Sequence, residues 1–426
     1  MLTIDRALAD SCKSVASSSS HQPLFVSSAE KIAHIDDLLI ELLAYLPIKS
    51  LFKFKTVSKQ WLSLISNPDF CLRRNLVTRP VSAIIVLSKY RPRRKRDRRK
   101  VTKHGSTKYE LINLNSDPSL GVFKNLTFSL GTVILHSCNG LLLCGNVDWR
   151  KPMHQCFIFN PITKQRTKLP HIIESPPDDY GGSPTIFGIN LAFDPLKSPH
   201  YKVICIRNCD SSDEGGLGYN KICSSETNGP WRLSGGTVRA LSYMKFKEGV
   251  FWNGALHWFT CLVACLYFTV DEETIHELPM PPLLKGTFLR KCYYFGESRG
   301  HLHLIEVYNP CTIFNVYEMP RDYSRCFVKY HVDLGEVVNA YPEMAKSNSH
   351  QYAVLCVVRE ENDEDSYMVL HVPKKAIYFS FKDYTFKKIY DFAPPTVGTG
   401  TGFRNVLEYT FGWTDAFRYT ESLAGV

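Results

Sequence analysis

The 426-residue chain lacks the short signatures on which catalytic assignments usually rest. It has no G-x-S-x-G nucleophile elbow, no H-E-x-x-H helix, no P-loop and no G-x-G-x-x-G fingerprint, so no catalytic or cofactor-binding residue is assigned. Its 14 cysteines contain no C-x-x-C pair, and the closest spacings, Cys205/Cys209 and Cys261/Cys265, do not make a zinc framework, so no metal is expected. Cys144, Cys261, Cys265 and Cys356 sit inside apolar runs, where a reduced thiol acts as a small hydrophobe, which points to a reducing compartment. No apolar run is long enough to cross a membrane; the longest, residues 255–270, also holds His257. Residues 1–20 carry Asp5, Arg6, Asp10 and Lys13 with no apolar core, so a secretory signal is not expected. A soluble nuclear or cytoplasmic protein is therefore expected.

Charge is also scarce once one segment is set aside. Of the net +10, residues 89–103 supply +9 through ten Lys or Arg and one Asp, which leaves the rest of the chain close to neutral.

Residues 1–29 include a serine-rich stretch poor in aliphatics, expected to be a flexible tail. From Asp36 the apolar residues follow helical spacing: Leu38, Leu39, Leu42, Leu43 and Leu46 form one stripe. Asp36 is a candidate cap for that helix and Pro47 its terminator; Ser50 and Ser58 are candidate caps for two further short helices before Pro68. Three helices in about forty residues are expected.

Beyond Pro80 the pattern switches to short runs rich in Val, Ile, Phe and Tyr, such as residues 81–87, 156–160, 201–207, 302–307, 352–358 and 367–372. A glycine ahead of alternating apolar residues recurs at Asn139-Gly140, Asn253-Gly254 and Arg299-Gly300, with a degenerate copy expected near Gly188. Leu169-Pro170, Leu278-Pro279 and Met319-Pro320 come after them as terminators. A period of about 50 residues suggests propeller blades of four strands. The expected fold is α+β multidomain: three helices over residues 30–75, then an all-β propeller over 80–415 of about six blades, seven being the alternative. A basic loop at 89–108 and a tail at 416–426 complete the division.

Residues 35–51, then Phe54-Lys55-Thr56-Val57-Ser58-Lys59-Gln60-Trp61 and Asn67-Pro68-Asp69-Phe70, resemble the plant F-box family. The remainder of the chain looks like the β-domain found behind such F-boxes, through Cys138-Asn139-Gly140-Leu141-Leu142, Asn160-Pro161-Ile162-Thr163-Lys164, Phe193-Asp194-Pro195 and Asn253-Gly254-Ala255-Leu256-His257-Trp258. Kelch and WD40 signatures are missing, although the domain is kelch-like in blade period. The resemblance implies a substrate-recognition subunit of an SCF-type ubiquitin ligase. It would dock a Skp/ASK-type adaptor, and through it a cullin and a RING protein, and hold an unknown target protein for ubiquitination and degradation. The implied docking residues are Ile35, Leu39, Leu42, Pro47, Leu51, Val57, Ser58 and Trp61, with Leu43, Leu46 and Phe54 internal. His34-Ile35 stand where the family has Leu-Pro.

The basic segment reads as a solvated hairpin loop or as a nuclear-import signal through Arg93, Arg94, Lys95, Arg96, Arg98, Arg99 and Lys100. Nucleic-acid binding has little behind it, because no aromatic residue is interleaved between Arg91 and Lys103 to stack on bases. His301 and His303 share a strand face with no ligand cluster around them, and Glu360-Glu361-Asn362-Asp363-Glu364-Asp365 reads as a loop between strands. A glycosidase-like propeller enzyme is the alternative from another class; it needs convergent carboxylates, and scattered ones such as Asp194 and Asp271 cannot be paired from sequence.

Overall fold

The computed structural model describes residues 35–77, 81–87, 108–114, 126–128, 132–146, 156–170, 186–209, 219–226, 229–239, 245–259, 265–282, 292–307, 312–345, 352–392 and 413–426. Tail 1–29 and residues 89–107 of the basic loop lie outside the described residues.

The described residues begin with four helices rather than the three expected: α1 (Asp36–Ala44), α2 (Ile48–Phe54), α3 (Lys59–Ser66) and α4 (Pro68–Val77). Pro68, expected to stop the third helix, opens a fourth, because proline lacks an amide that the first turn leaves unpaired anyway. Asn67 caps it, its Oδ1 accepting from Asp69 N at 2.8 Å. Ser58 caps α3 as expected, accepting from Trp61 N at 3.1 Å. Asp36 and Ser50 do not cap, since Ile35 and Pro47 hold those positions. Asp36 Oδ1 instead accepts from Gln60 Nε2 at 2.7 Å and ties α1 to α3. Leu39, Leu43, Ile48, Leu51, Phe54, Trp61, Ile65 and Phe70 form the small core. Trp61 stands edge-on to Phe54, ring centres 5.0 Å apart.

Six four-stranded antiparallel sheets come after the helices. The chain first lays down β1 (Ala83–Leu87), β2 (Lys108–Asn113) and β3 (Leu126–Thr127). Five meanders of consecutive strands come next. The first is β4 (Thr132–Cys138), β5 (Leu141–Asn146), β6 (Cys156–Phe159) and β7 (Arg166–Lys168); the second is β8 (Ile186–Ala192), β9 (Lys202–Cys209), β10 (Tyr219–Glu226) and β11 (Arg232–Arg239). The third is β12 (Val250–Trp252), β13 (Ala255–Trp258), β14 (Cys265–Thr269) and β15 (Thr274–Leu278). The fourth is β16 (Cys292–Ser298), β17 (His301–Glu306), β18 (Ile313–Met319) and β19 (Phe327–Asp333). The fifth is β20 (Ala353–Val358), β21 (Tyr367–Val372), β22 (Lys375–Ser380) and β23 (Phe386–Asp391). The sixth sheet is composite: β24 (Ala416–Tyr419) pairs with β1, ahead of β2 and β3. Set against an expectation of about six blades, the chain therefore builds five from consecutive strands and one sheet from its two ends, with no seventh among the described residues.

Residues 416–426 are thus not a tail, because Ala416–Tyr419 complete a sheet and Tyr419, Ser422, Leu423 and Ala424 are buried. Each sheet presents one strand to a common axis: β24 neighbours β4, β4 neighbours β8, β8 abuts the β12–β13 hairpin, and β16 and β20 close the circle. Strands between two neighbouring sheets are buried on both faces, as β21 is throughout, which explains why their sequences are continuous apolar runs. Outer strands such as β23 are polar and partly exposed.

The three repeated glycines mark the turns from first to second strand. Asn139-Gly140, Asn253-Gly254 and Arg299-Gly300 all have positive φ at both residues, as a two-residue type I′ turn requires. Gly188 is not a fourth copy. It lies within β8, where an added Cβ would fall 2.2 Å from the Phe246 carbonyl oxygen, so close packing fixes its identity. Leu169-Pro170 and Leu278-Pro279 end fourth strands, whereas Met319-Pro320 ends a third.

Candidate functional site

α1 leaves a row of apolar side chains uncovered. Ile35 (48% exposed), Leu38 (43%), Leu42 (44%) and Tyr45 (68%) recur at helical spacing along one face, and Leu62 of α3 is exposed as well. The stripe legible in the sequence is divided here: Leu39 and Leu43 point inward, Leu38 and Leu42 outward, and Leu46 is half-buried. Of the expected docking residues, Ile35 and Leu42 stand on the uncovered row, and Pro47, Val57 and Ser58 are half-buried. Leu39, Leu51 and Trp61 are core residues, 0–1% exposed, and are not displayed at the surface. The reason is α4, absent from the three-helix expectation, which packs on α1 and α3 and brings Phe70 into the core. Leu38 and Tyr45 were missed; the 3-4-3 spacing of Ile35, Leu38, Leu42 and Tyr45 was the available signal.

The other surface of interest is set by topology. In an antiparallel meander the first-to-second and third-to-fourth turns share one end, and the remaining connections leave from the other. Tyr419 pairs with Ala83 and Ala416 with Val86, so the helices enter β1 at the same end at which β24 terminates. Leu87 and Tyr109, the strand residues flanking the basic segment, pair at the opposite end. The import-signal residues Arg93, Arg94, Lys95, Arg96, Arg98, Arg99 and Lys100 themselves lie outside the described residues.

The axial strands enclose a cavity of about 560 Å³, lined by Leu135, His136, Ile189, Phe295, Leu355 and Arg418 among others. Two of its polar side chains, His136 and Glu297, are engaged by neighbouring strands. His136 is buried; its Nε2 donates to Gly249 O at 2.7 Å, and Nδ1 accepts from Leu191 N at 3.2 Å. Both bonds suit a neutral ring, and burial lowers its pKa to about 4. Arg418 of β24 pairs with Glu297 of β16, two sheets away around the ring. Glu297 Oε1 also accepts from Gly300 N at 2.7 Å. These contacts tie neighbouring sheets together across the channel.

The remaining candidates resolve as structural. His301 Nδ1 lies 2.8 Å from Glu318 Oε1, and the fully buried His303 lies 3.5 Å from Oε2 of the same carboxylate. Burial lowers the pKa of His303 despite that partner. Among the described residues no group of three or more His, Cys, Asp or Glu is arranged to hold a metal. Three of the five acids in the run are paired with cations outside it, Asp363 with Arg359 and Lys329, Glu364 with Lys382 and Glu361 with Arg299. Asp194 and Asp271 do line one surface cavity of about 440 Å³. Asp194 Oδ1 accepts from Leu196 N at 3.0 Å, and Asp271 pairs with Lys202 Nζ at 3.4 Å. Cys144, Cys265 and Cys356 are buried thiols, and burial pushes Cys356 up to about 12, consistent with a packing role; Cys261 lies outside the described residues.

Comparison with known proteins bears on both surfaces. The F-box domain model matches residues 36–73, and the KIB1-4 beta-propeller model matches residues 118–339. The chain is similar to F-box protein At5g07610 of Arabidopsis thaliana, with 35% identity over 86% of this chain and 87% of that one. F-box protein At5g49610 of the same plant is 27% identical over 64% of this chain and 71% of its own length. Among solved structures, TolB from Acinetobacter baumannii aligns over 78% of this chain and 69% of that chain at 9% identity, with a TM-score of 0.37.

Proposed function

Because the chain belongs to the plant F-box proteins that carry a C-terminal β-propeller, we propose that it is the substrate-recognition subunit of an SCF-type ubiquitin ligase. The helical unit docks a Skp/ASK-type adaptor, which links it to a cullin and a RING protein, and the propeller holds a target protein for ubiquitination and degradation. The chain itself contributes proximity, not chemistry.

One observation carries the docking half: the uncovered row Ile35, Leu38, Leu42 and Tyr45. A contiguous apolar row at the surface of a small helical unit marks a partner surface. Ile35 supplies apolar area at the position where the family has proline, so the row stays continuous without a Leu-Pro pair. Leu38→Asp together with Leu42→Asp leaves the core untouched, since both side chains point outward. Hot-spot truncations cost about 2 kcal/mol or more, roughly thirtyfold in affinity. The double variant is expected to lose adaptor capture in a pull-down while keeping its helical circular dichroism. Undiminished capture would move the docking surface elsewhere.

The target-holding half is supported by the geometry of the two ends. Strand ends remote from the helices carry the longer connections, and loops on a rigid scaffold are where recognition residues concentrate. For localisation, the basic segment is proposed as a nuclear-import signal. Deleting residues 91–103 from a fluorescent fusion is expected to shift it from nucleus to cytoplasm, and unchanged nuclear accumulation would exclude that role.

A further inference from the structure

We propose that residues 420–426 form an internal strut that fixes the helical unit against the propeller in one orientation. The segment leaves β24 at the end of the ring where the helices enter, and its middle residues Ser422, Leu423 and Ala424 are buried. On the propeller side, Asn160 is fully buried, and its Nδ2 donates to Ser422 O at 3.1 Å and to Ala424 O at 2.7 Å. Its Oδ1 accepts from Ile162 N at 2.9 Å, so the side chain is held rigid by its own turn while it grips the segment. Gly140 lets the segment pass close over the first turn of β4 and β5. A Cβ there would fall 2.3 Å from Ser422 Cβ and 2.7 Å from Thr420 O. Ser422 Oγ accepts from Ala424 N at 3.1 Å and shapes the segment itself.

On the helical side, Cys71 Sγ of α4 donates to Leu423 O at 3.6 Å. Leu423 belongs to one apolar cluster that holds Leu43, Trp61 and Phe70 of the helices together with Leu142, Phe157 and Ile162 of the blade. Arg74 is within electrostatic range of Glu421 and donates to Ala44 O at 2.8 Å and Leu46 O at 2.7 Å, the carbonyls left over where α1 ends. One short stretch therefore connects the end of α1, the face of α4 and the turns of a blade. Inter-domain contacts inside a chain are by default loose, and these contacts add to the apolar cluster that the helices share with Ile85, Tyr109, Leu142 and Phe157 of the blades.

The inference rests on the ligase reading only for its purpose. In such a complex, the angle between adaptor and propeller decides where a held target sits relative to the site of transfer. Its structural content is tested without that reading. Spin labels carried by noncanonical amino acids at Lys59 in α3 and Glu272 in the β14–β15 turn, both exposed, spare the native cysteines. The full chain is expected to give one narrow distance distribution. Leu423→Asp, and separately deletion of residues 421–426, are expected to broaden it at least twofold while the near-ultraviolet circular dichroism of the propeller is kept. A distribution as narrow as that of the unaltered chain in either variant would overturn the proposal. So would loss of the propeller signal in both, because the segment would then be part of a blade rather than a connection. Adaptor binding is measured on the same samples: a narrow distance in an unaltered chain that captures no adaptor supports the strut and removes the ligase reading.

Discussion

Trp61→Ala is expected to melt the helical unit and abolish adaptor capture, although Trp61 is not part of the exposed row. The side chain is 1% exposed, stands edge-on to Phe54, and its backbone amide is held by the Ser58 cap. Truncating a buried tryptophan typically costs about 3–5 kcal/mol. A core of this size supplies roughly 3–5 kcal/mol in total, so the change consumes most of the stability available. Hydrogen exchange should therefore show loss of protection over α1 to α4, while β4 to β23 keep theirs. If the helices stay protected and capture still fails, Trp61 is a direct contact; if capture survives, the helical unit does not depend on it.

The second large effect is expected at Arg418→Ala. Its guanidinium reaches from the closing strand to Glu297, and the two side chains are 25% and 16% exposed. Removing one partner of a buried pair costs about 3–5 kcal/mol, and the residual exposure here places the expectation near the lower figure. For a domain of this size that corresponds to a fall in thermal midpoint of roughly 5 °C. Pairing Arg418→Met with Glu297→Gln removes both charges and should cost less than the two single changes together, because the singles each leave one charge behind. Strict additivity in that cycle would mean that the ion pair does not bind the closing strand to its neighbours.

Local chemistry explains which parts of the fold were legible in the sequence. Ser58 announced a cap because its hydroxyl meets an otherwise unpaired amide three residues on, and Asn139-Gly140, Asn253-Gly254 and Arg299-Gly300 announced turns because both residues must adopt positive φ. The Val- and Ile-rich runs announced strands because a strand between two sheets is buried on both faces. What failed depended on partners distant in sequence. Periodicity placed Leu38, Leu39, Leu42 and Leu43 on one stripe, but only the packing of α4 decides which half of it is covered. Pro68 carries the same residue type whether it stops one helix or starts another, and position relative to the Asn67 cap settles which. β24 has four residues and a partner strand more than 300 positions earlier, so no nearby residue signals it.

That pairing has a consequence for the order of synthesis. A ribosome delivers these helices before β24, the strand that closes the ring, so the docking surface proposed above is complete while the ring is still open. A product that ends after the helices but before residue 416 keeps the helical unit and lacks closure. On the proposed ligase reading, such a fragment would occupy adaptors without delivering a target, and in a cell that also makes the full chain it would act as a competitor. Premature stop codons late in the reading frame are therefore expected to be more harmful than early ones, which remove both functions at once.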